Sequence, residues 1–231
     1  MSVTGKSGGG GGRKNPRLHQ KVKTARGRKN GSTKWLQRQL NDPYVQKARA
    51  LGYRSRAAFK ISELDDKFKF FKPNLSVVDL GAAPGGWTQV AVERCKGNST
   101  VVAIDLLQID EIAGSTLLEM DFMADDAPEK LCSYLPEGKA DLVISDMAPN
   151  TSGTPSLDHL RIMGLVEAAA EFACEILKPG GGFVCKVWQG GAERETLKAL
   201  QKRFIKVRHA KPAASRKGSA ETFLVASGFK G

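Results

Sequence analysis

The 231-residue chain has no run of about eighteen apolar residues, the length a helix needs to cross a bilayer. Its N-terminus is polar and glycine-rich, without the apolar stretch of a secretory signal, so the protein is expected in the cytosol. Cysteine is sparse: Cys95, Cys132, Cys174 and Cys185 lie far apart with no Cys-x-x-Cys pair, which argues against a zinc site or a disulfide framework and predicts buried thiols. Histidine is sparser. His19, His159 and His209 have neither triad nor metal-ligand spacing, so hydrolase and metalloenzyme readings have little behind them and no metal is expected. No internal repeat is present.

Acidic residues are nearly missing from one end. Residues 1–60 hold 16 Lys and Arg against a single acid, Asp42, whereas residues 61–231 hold 20 against 23, so the whole formal charge of +12 is N-terminal. Met1–Gly31 is basic, glycine-rich and almost without large apolar residues, and is expected to be a disordered arm. Such arms bind phosphate backbones by releasing condensed counterions, without reading sequence. With 41% hydrophobic residues, the remainder from Ser32 onward can bury one α/β core, a single catalytic domain that includes an N-terminal helical extension over residues 32–72.

From Ser32 the hydrophobic pattern alternates between helical and strand periods. Trp35-Leu36 with Leu40, and Tyr44-Val45 with Ala48, suggest short helices, and Arg56–Phe68 a longer one. Strands are expected at Ser76–Leu80, Thr100–Asp105, Thr116–Asp121, Asp141–Asp146 and Gly182–Trp188, with helices near Trp87–Arg94, Asp125–Leu135, Leu157–Leu177 and Ala192–Arg203. Crossovers of that length imply parallel pairing. Ile205–Ala210 and Glu221–Phe229 are joined by a Pro/Gly/Ser-rich loop too short for a crossover, so these two should run antiparallel.

The most informative segment is Asp79-Leu-Gly-Ala-Ala-Pro-Gly-Gly-Trp87, a glycine-rich turn between a strand and a helix. Glycine permits a sharp turn and a close approach of backbone to ligand, as a nucleoside-type methyl donor requires. The spacing departs from Gly-x-Gly-x-x-Gly, which weakens a dinucleotide reading. No lysine follows Gly86 to meet a triphosphate, which weakens a P-loop reading further. Ligands of open α/β sheets lie beyond the strand carboxyl ends, where Asp79, Asp105, Asp121 and Asp146 fall in succession. Asp105 is placed to accept hydrogen bonds from ribose hydroxyls, and Asp121 to reach an adenine amino group.

With Trp35-Leu36, Asp42–Val45, Arg54–Lys60, Val78–Trp87, Asp105–Leu107, Asp121-Phe122, Ser145–Asn150, Lys186 and Lys211–Arg216 with Ser219 and Glu221, the chain from Ser32 to Phe229 resembles the FtsJ-type (RrmJ/RlmE) ribosomal RNA ribose 2′-O-methyltransferases. The resemblance implies a Rossmann-like methyltransferase fold, a seven-stranded mostly parallel sheet of order 3-2-1-4-5-7-6 with helices on both faces. It implies S-adenosylmethionine as methyl donor, bound by Gly81, Ala82, Pro84, Gly85, Gly86, Trp87, Asp105, Leu106, Asp121, Phe122 and Asp146. It implies a catalytic set of Lys60, Asp146, Lys186 and Glu221. The substrate it implies is a uridine of large-subunit (23S) ribosomal RNA, modified by a monomeric enzyme on the ribosomal subunit. The RNA is expected along the strand ends, held by Arg13–Lys34, Arg54, Arg56 and the Arg216-Lys217 loop.

The set has its own chemical logic. Methyl transfer to a ribose hydroxyl is an in-line displacement that needs positioning and an exit for the hydroxyl proton. Lys186 interrupts Phe183-Val184-Cys185 and Val187-Trp188 in a strand expected to be buried on both faces, where an unpaired lysine is costly. Whether Lys186 takes the proton or only orients the hydroxyl stays open. Two further readings also stay open: the same chemistry on transfer RNA, and a non-catalytic RNA-binding assembly factor.

Overall fold

A computed structural model describes residues 30–149, 153–188 and 193–231. The arm expected at Met1–Gly31 lies outside these residues except for its last two positions, and so does Asn150. Among the described residues no helix is long and apolar enough to cross a membrane.

The chain divides into two compact units after Gln46. In the first, α1 (Asn30–Leu40) leads into the opening turn of α2 (Pro43–Ala50), which begins where the Asp42 carboxylate accepts the Tyr44 N–H at 3.0 Å and whose residues from Lys47 on belong to the second unit. The second unit is built on one sheet of seven strands, β1 (Ser76–Leu80), β2 (Thr100–Asp105), β3 (Thr116–Glu119), β4 (Ala140–Ser145), β5 (Leu177–Trp188), β6 (Phe204–Ala210) and β7 (Glu221–Phe229). Their order is β3-β2-β1-β4-β5-β7-β6. The first five run parallel, and β7 is antiparallel to both of its neighbours.

Parallel strands covered on both faces are continuously apolar, and β1 is buried at all five positions. One face packs on α3 (Ala57–Phe68) and α4 (Gly86–Arg94) through Ala58, Ile61, Leu64, Val90 and Ala91. The other packs on α5 (Ala127–Ser133) and α6 (Pro155–Ile176), where Ile162, Val166, Ala169, Ala173 and Ile176 recur at helical spacing. A last helix, α7 (Glu193–Arg203), leads into the edge strand β6.

Three boundaries differ from the sequence expectation in a way that bears on the site. β4 stops at Ser145 and β3 at Glu119, so Asp146 and Asp121 stand beyond the last paired residues, in the connections, rather than ending strands. β5 begins at Leu177 instead of Gly182, because Leu177 pairs with Ala140 and Gly182 with Leu142 across an irregularity. A Cβ at Gly181 would lie 2.8 Å from the Lys178 carbonyl oxygen, so only glycine fits that detour.

Candidate active site

A cavity of about 650 Å³ opens beyond the carboxyl ends of β1, β2 and β4, the crevice where open α/β sheets bind ligands. Of the eleven residues expected to hold a methyl donor, Gly81, Asp105, Leu106, Asp121, Phe122 and Asp146 line it. Asp105 is fixed by the main chain: Oδ2 accepts the Ala83 N–H at 2.9 Å and Oδ1 the Leu107 N–H at 2.9 Å. This carboxylate ties the glycine-rich turn to the segment after β2. Asp121 accepts the Met123 N–H at 2.9 Å, and the ring of Phe122 stands edge-on to Phe172 at 5.4 Å between centroids.

The other five residues, Ala82, Pro84, Gly85, Gly86 and Trp87, do not form the cavity wall. Trp87, expected to border the donor, is 2% exposed as a residue; its ring packs on Phe223 at 5.7 Å and donates Nε1–H to the Ala57 carbonyl at 2.9 Å. Burial among apolar residues with its one donor satisfied makes it a core residue joining α4 to α3. The glycines also have protein neighbours close by. A Cβ at Gly85 would lie 2.7 Å from Ile112 Cδ1, one at Gly86 would lie 2.5 Å from Ser55 Oγ, and one at Gly81 would lie 2.5 Å from Met147 Cγ. With φ of +73° at Gly81 and +103° at Gly85, the turn is also closed to other residues by backbone conformation.

Arg54 and Arg56, expected to hold RNA, each also brace the fold through main-chain carbonyls. Arg54 donates to the carbonyls of Asp110 and Glu111 at 2.5 Å each, and Arg56 donates to the Ala214 carbonyl. The sequence reading missed several wall residues, among them Ala83, Met147, and the α6 residues Arg161, Gly164 and Leu165. Ala83 and Met147 lie within segments already singled out, whereas the only signal for the α6 residues was a glycine inside an otherwise helical pattern.

Asp146 joins the cavity to a second group of residues. While lining the cavity it lies with Oδ1 2.9 Å from Lys186 Nζ, and Lys186 also donates to the Asp146 carbonyl oxygen. Lys186 is 7% exposed near the carboxyl end of β5, where both partners supplied by one aspartate offset the cost of burying an ammonium group. In register with it across β7 stands Phe223, over whose ring Lys60 Nζ sits at 5.8 Å. Lys60 in turn pairs with Glu221 Oε2 at 2.6 Å, and Ser215 donates to Glu221 Oε1 at 2.8 Å. The loop carrying Ser215 is held on α3 by the peptide of Ala214, whose N–H goes to Glu63 at 2.9 Å and whose carbonyl accepts from Arg56. Lys60, Asp146, Lys186 and Glu221 thus come together as two ion pairs at the carboxyl end of the sheet.

Beneath the turn, Asp79 is fully buried inside β1 and bonded to the Thr88 hydroxyl at 2.7 Å. Burial, with Asp146 and Asp105 nearby, pushes its carboxyl up to about 7. It is a supporting group under the site rather than a wall residue. Burial also raises the thiols, Cys95 to about 11 and Cys185 to about 12, which keeps them protonated.

The description of the matching family, FtsJ-like methyltransferase, covers residues 53–229. The proteins named ribosomal RNA large subunit methyltransferase E of Paramagnetospirillum magneticum and Caulobacter vibrioides are 60% and 59% identical to this chain. Each alignment covers 97% of it, and 93% and 96% of the relative. A solved ribosomal RNA methyltransferase from Plasmodium falciparum superposes with a TM-score of 0.70 at 31% identity, over 78% of this chain and all of that one.

Proposed function

This chain belongs to the FtsJ-like methyltransferase family, and we propose that it transfers a methyl group from S-adenosylmethionine to the ribose 2′-hydroxyl of a uridine in large-subunit (23S) ribosomal RNA. One observation carries the reading: Asp146 is at once part of the cavity wall and the partner of Lys186, so a donor pocket and a pair of lysine–carboxylate contacts share a residue.

The cavity fits the donor by its chemistry. Asp105 and Asp121 offer fixed carboxylate acceptors to ribose and adenine donors, while Leu106, Phe122 and Met123 supply apolar walls for a base. Asp146 brings a negative charge suited to a cationic sulfonium or ammonium group. When bound, S-adenosylmethionine supplies an electrophilic methyl group on sulfonium. Lys186 orients the ribose hydroxyl and, as the neutral amine, takes the proton that leaves it as the methyl group passes from sulfur to oxygen. Asp146 holds Lys186 through two oxygens, which fixes the amine in one place. Lys60 and Glu221 form the opposite side of the acceptor position, paired with each other, with Glu221 held in turn by Ser215.

The ribosomal substrate follows the names of relatives that share more than half of their residues with this chain over nearly its full length. Mapping ribose methylation in 23S RNA with and without the gene tests it directly. Loss of one uridine 2′-O-methyl group, restored by the purified protein on isolated large subunits, is the expected outcome. Methylation of transfer RNA instead would overturn the substrate, and donor binding without turnover on any RNA would overturn the activity.

A further inference from the structure

The near balance of charge over residues 61–231 hides two populations of opposite sign. Residues 61–195 carry 11 Lys and Arg against 22 acids, while residues 196–231 carry 9 against one. The sheet order sends these two populations to opposite sides. β2 and β3, with α5, fall in the acidic stretch, whereas most of α7 and all of β6 and β7 fall in the basic one. The single acid of the basic stretch, Glu221, faces Lys60.

We propose that the β6 edge of the sheet, with the end of α7, is a second RNA-binding surface that holds phosphate backbone away from the reacting ribose. Lys198, Lys202, Arg203, Lys206, Arg208 and Lys230 are all exposed there. Lys230 ties the two ends of this surface together, its N–H donating to the Arg203 carbonyl and its amine to the Lys202 carbonyl, both at 2.9 Å. Among the described residues Lys206 and Arg208 have no ion pair, so their charges are available to a partner. Basic residues on an edge strand also deter sheet-to-sheet pairing. That role explains charge at Lys206 and Arg208, but not the basic residues that end α7 or the loop Lys211–Ala220, which carries three basic residues and no acid.

Position points to RNA as the occupant. β6 runs in the same sense as β5, and Ala210 and Lys186 are both in register with Phe223. The basic edge therefore starts level with the catalytic lysine and runs back along Phe204–Ala210, roughly 20 Å at the usual rise per residue. An RNA whose ribose enters at Lys186 can continue along this edge. Backbone contacts of this kind set register and affinity without reading sequence.

The inference rests on ribosomal RNA being the substrate, and its test does not require turnover. Binding of the full-length protein to purified large ribosomal subunits is measured across a potassium chloride series, alongside S-adenosylmethionine binding. The double variant Lys206→Glu, Arg208→Glu should bind subunits about tenfold or more weakly at low salt, with a salt slope shallower by roughly one to two and with parental donor affinity. Parental affinity and slope in that variant would overturn the proposal. So would an equal loss in Lys96→Glu, Lys130→Glu, which makes the same charge change in the acidic stretch and is expected to bind as the parent does. If the parent binds subunits with the expected β6 dependence but methylates none, the functional reading fails and the surface stands.

Discussion

The two halves of the sheet hold their functional side chains by different means. On the β1–β2–β3 side the carboxylates that face the cavity are fixed by main-chain N–H groups: Asp105 by Ala83 and Leu107, and Asp121 by Met123. On the β5–β7 side the charged groups are fixed largely by other charged or polar side chains, Glu221 by Lys60 and Ser215, and Lys186 by the Asp146 carboxylate together with that residue's main-chain carbonyl. A backbone-anchored group persists when its neighbours change, because its partners belong to every residue type. A group anchored by side chains depends on each of them. The first arrangement suits a constant ligand, and the second suits a reaction in which charges must be placed against one another.

The widest gap between the halves is expected at Lys186. Lys186→Ala should reduce methyl transfer in single-turnover assays by about 10²- to 10⁴-fold, the usual contribution of a proton-handling side chain, while S-adenosylmethionine affinity stays within a few-fold. Full single-turnover activity would remove Lys186 from the reaction. Asp105→Ala should invert the pattern. It leaves the Ala83 and Leu107 N–H groups without their acceptor and should weaken donor binding by about 10- to 100-fold, consistent with ~1–3 kcal/mol for unmade hydrogen bonds, with a smaller effect on the rate of bound substrate.

Asp79 sharpens the comparison through pH. Its carboxyl is raised from 3.8 to about 7 by burial, so the folded protein binds a proton there that the unfolded chain has released. Stability from this residue is therefore lost as pH rises from about 4 to about 7 and is level above that. Relative to Asp79→Asn, whose amide can still accept the Thr88 hydroxyl, the parent should lose up to about 4 kcal/mol across that window, measured by urea unfolding at each pH. Parallel pH profiles for the two proteins would show that Asp79 is already ionised in the fold.

Much of this arrangement could be read in the sequence, and the parts that could not share a cause. Strands buried on both faces appear as apolar runs, so β1, β2 and β4 were located to within a residue or so. The sheet order came from resemblance, since runs of apolar residues do not say which strand neighbours which. A lysine inside such a run, Lys186, announces its own cost. What the pattern does not carry is direction. Trp87 follows a glycine-rich turn whether its ring points to a ligand or into the core, and only the position of Phe223 and the Ala57 carbonyl decides for the core. Nor does the pattern show that Arg54 and Arg56 also brace main-chain carbonyls distant along the chain. The α6 wall was hidden for the same reason, because a helix face is assigned only once its crossover has been packed.

The Ser215 contact tests whether the side-chain network on the β7 side is needed as a network. Ser215 is 4% exposed and donates to Glu221, on a loop clamped by Arg56 and Glu63 through the Ala214 peptide. Ser215→Ala should lower kcat by about tenfold, the loss expected of one hydrogen bond to a charged group, with KM for the donor unchanged. Ser215→Thr, which retains the hydroxyl, should recover most of it. A general loss of folding would instead lower both parameters and the melting temperature, and Thr would not restore them selectively.

The smallest effect separates two glycines of the same cavity. Gly81 has φ of +73° and a Cβ there would meet Met147, so alanine at that position forces β1 and the segment after β4 apart. Gly164 lines the cavity from within α6, and a Cβ there would have nothing within 4 Å. Neither packing nor backbone conformation requires it, and glycine inside a helix costs roughly 0.5–1 kcal/mol relative to alanine. Gly164→Ala should therefore raise stability by about that amount in urea or thermal unfolding, with donor affinity unchanged. Gly164→Leu extends a side chain from the wall of the cavity and should weaken the donor while leaving the fold intact. If alanine alone already weakens the donor, Gly164 is in contact with it, and the helical side of the cavity belongs to the binding half rather than framing it.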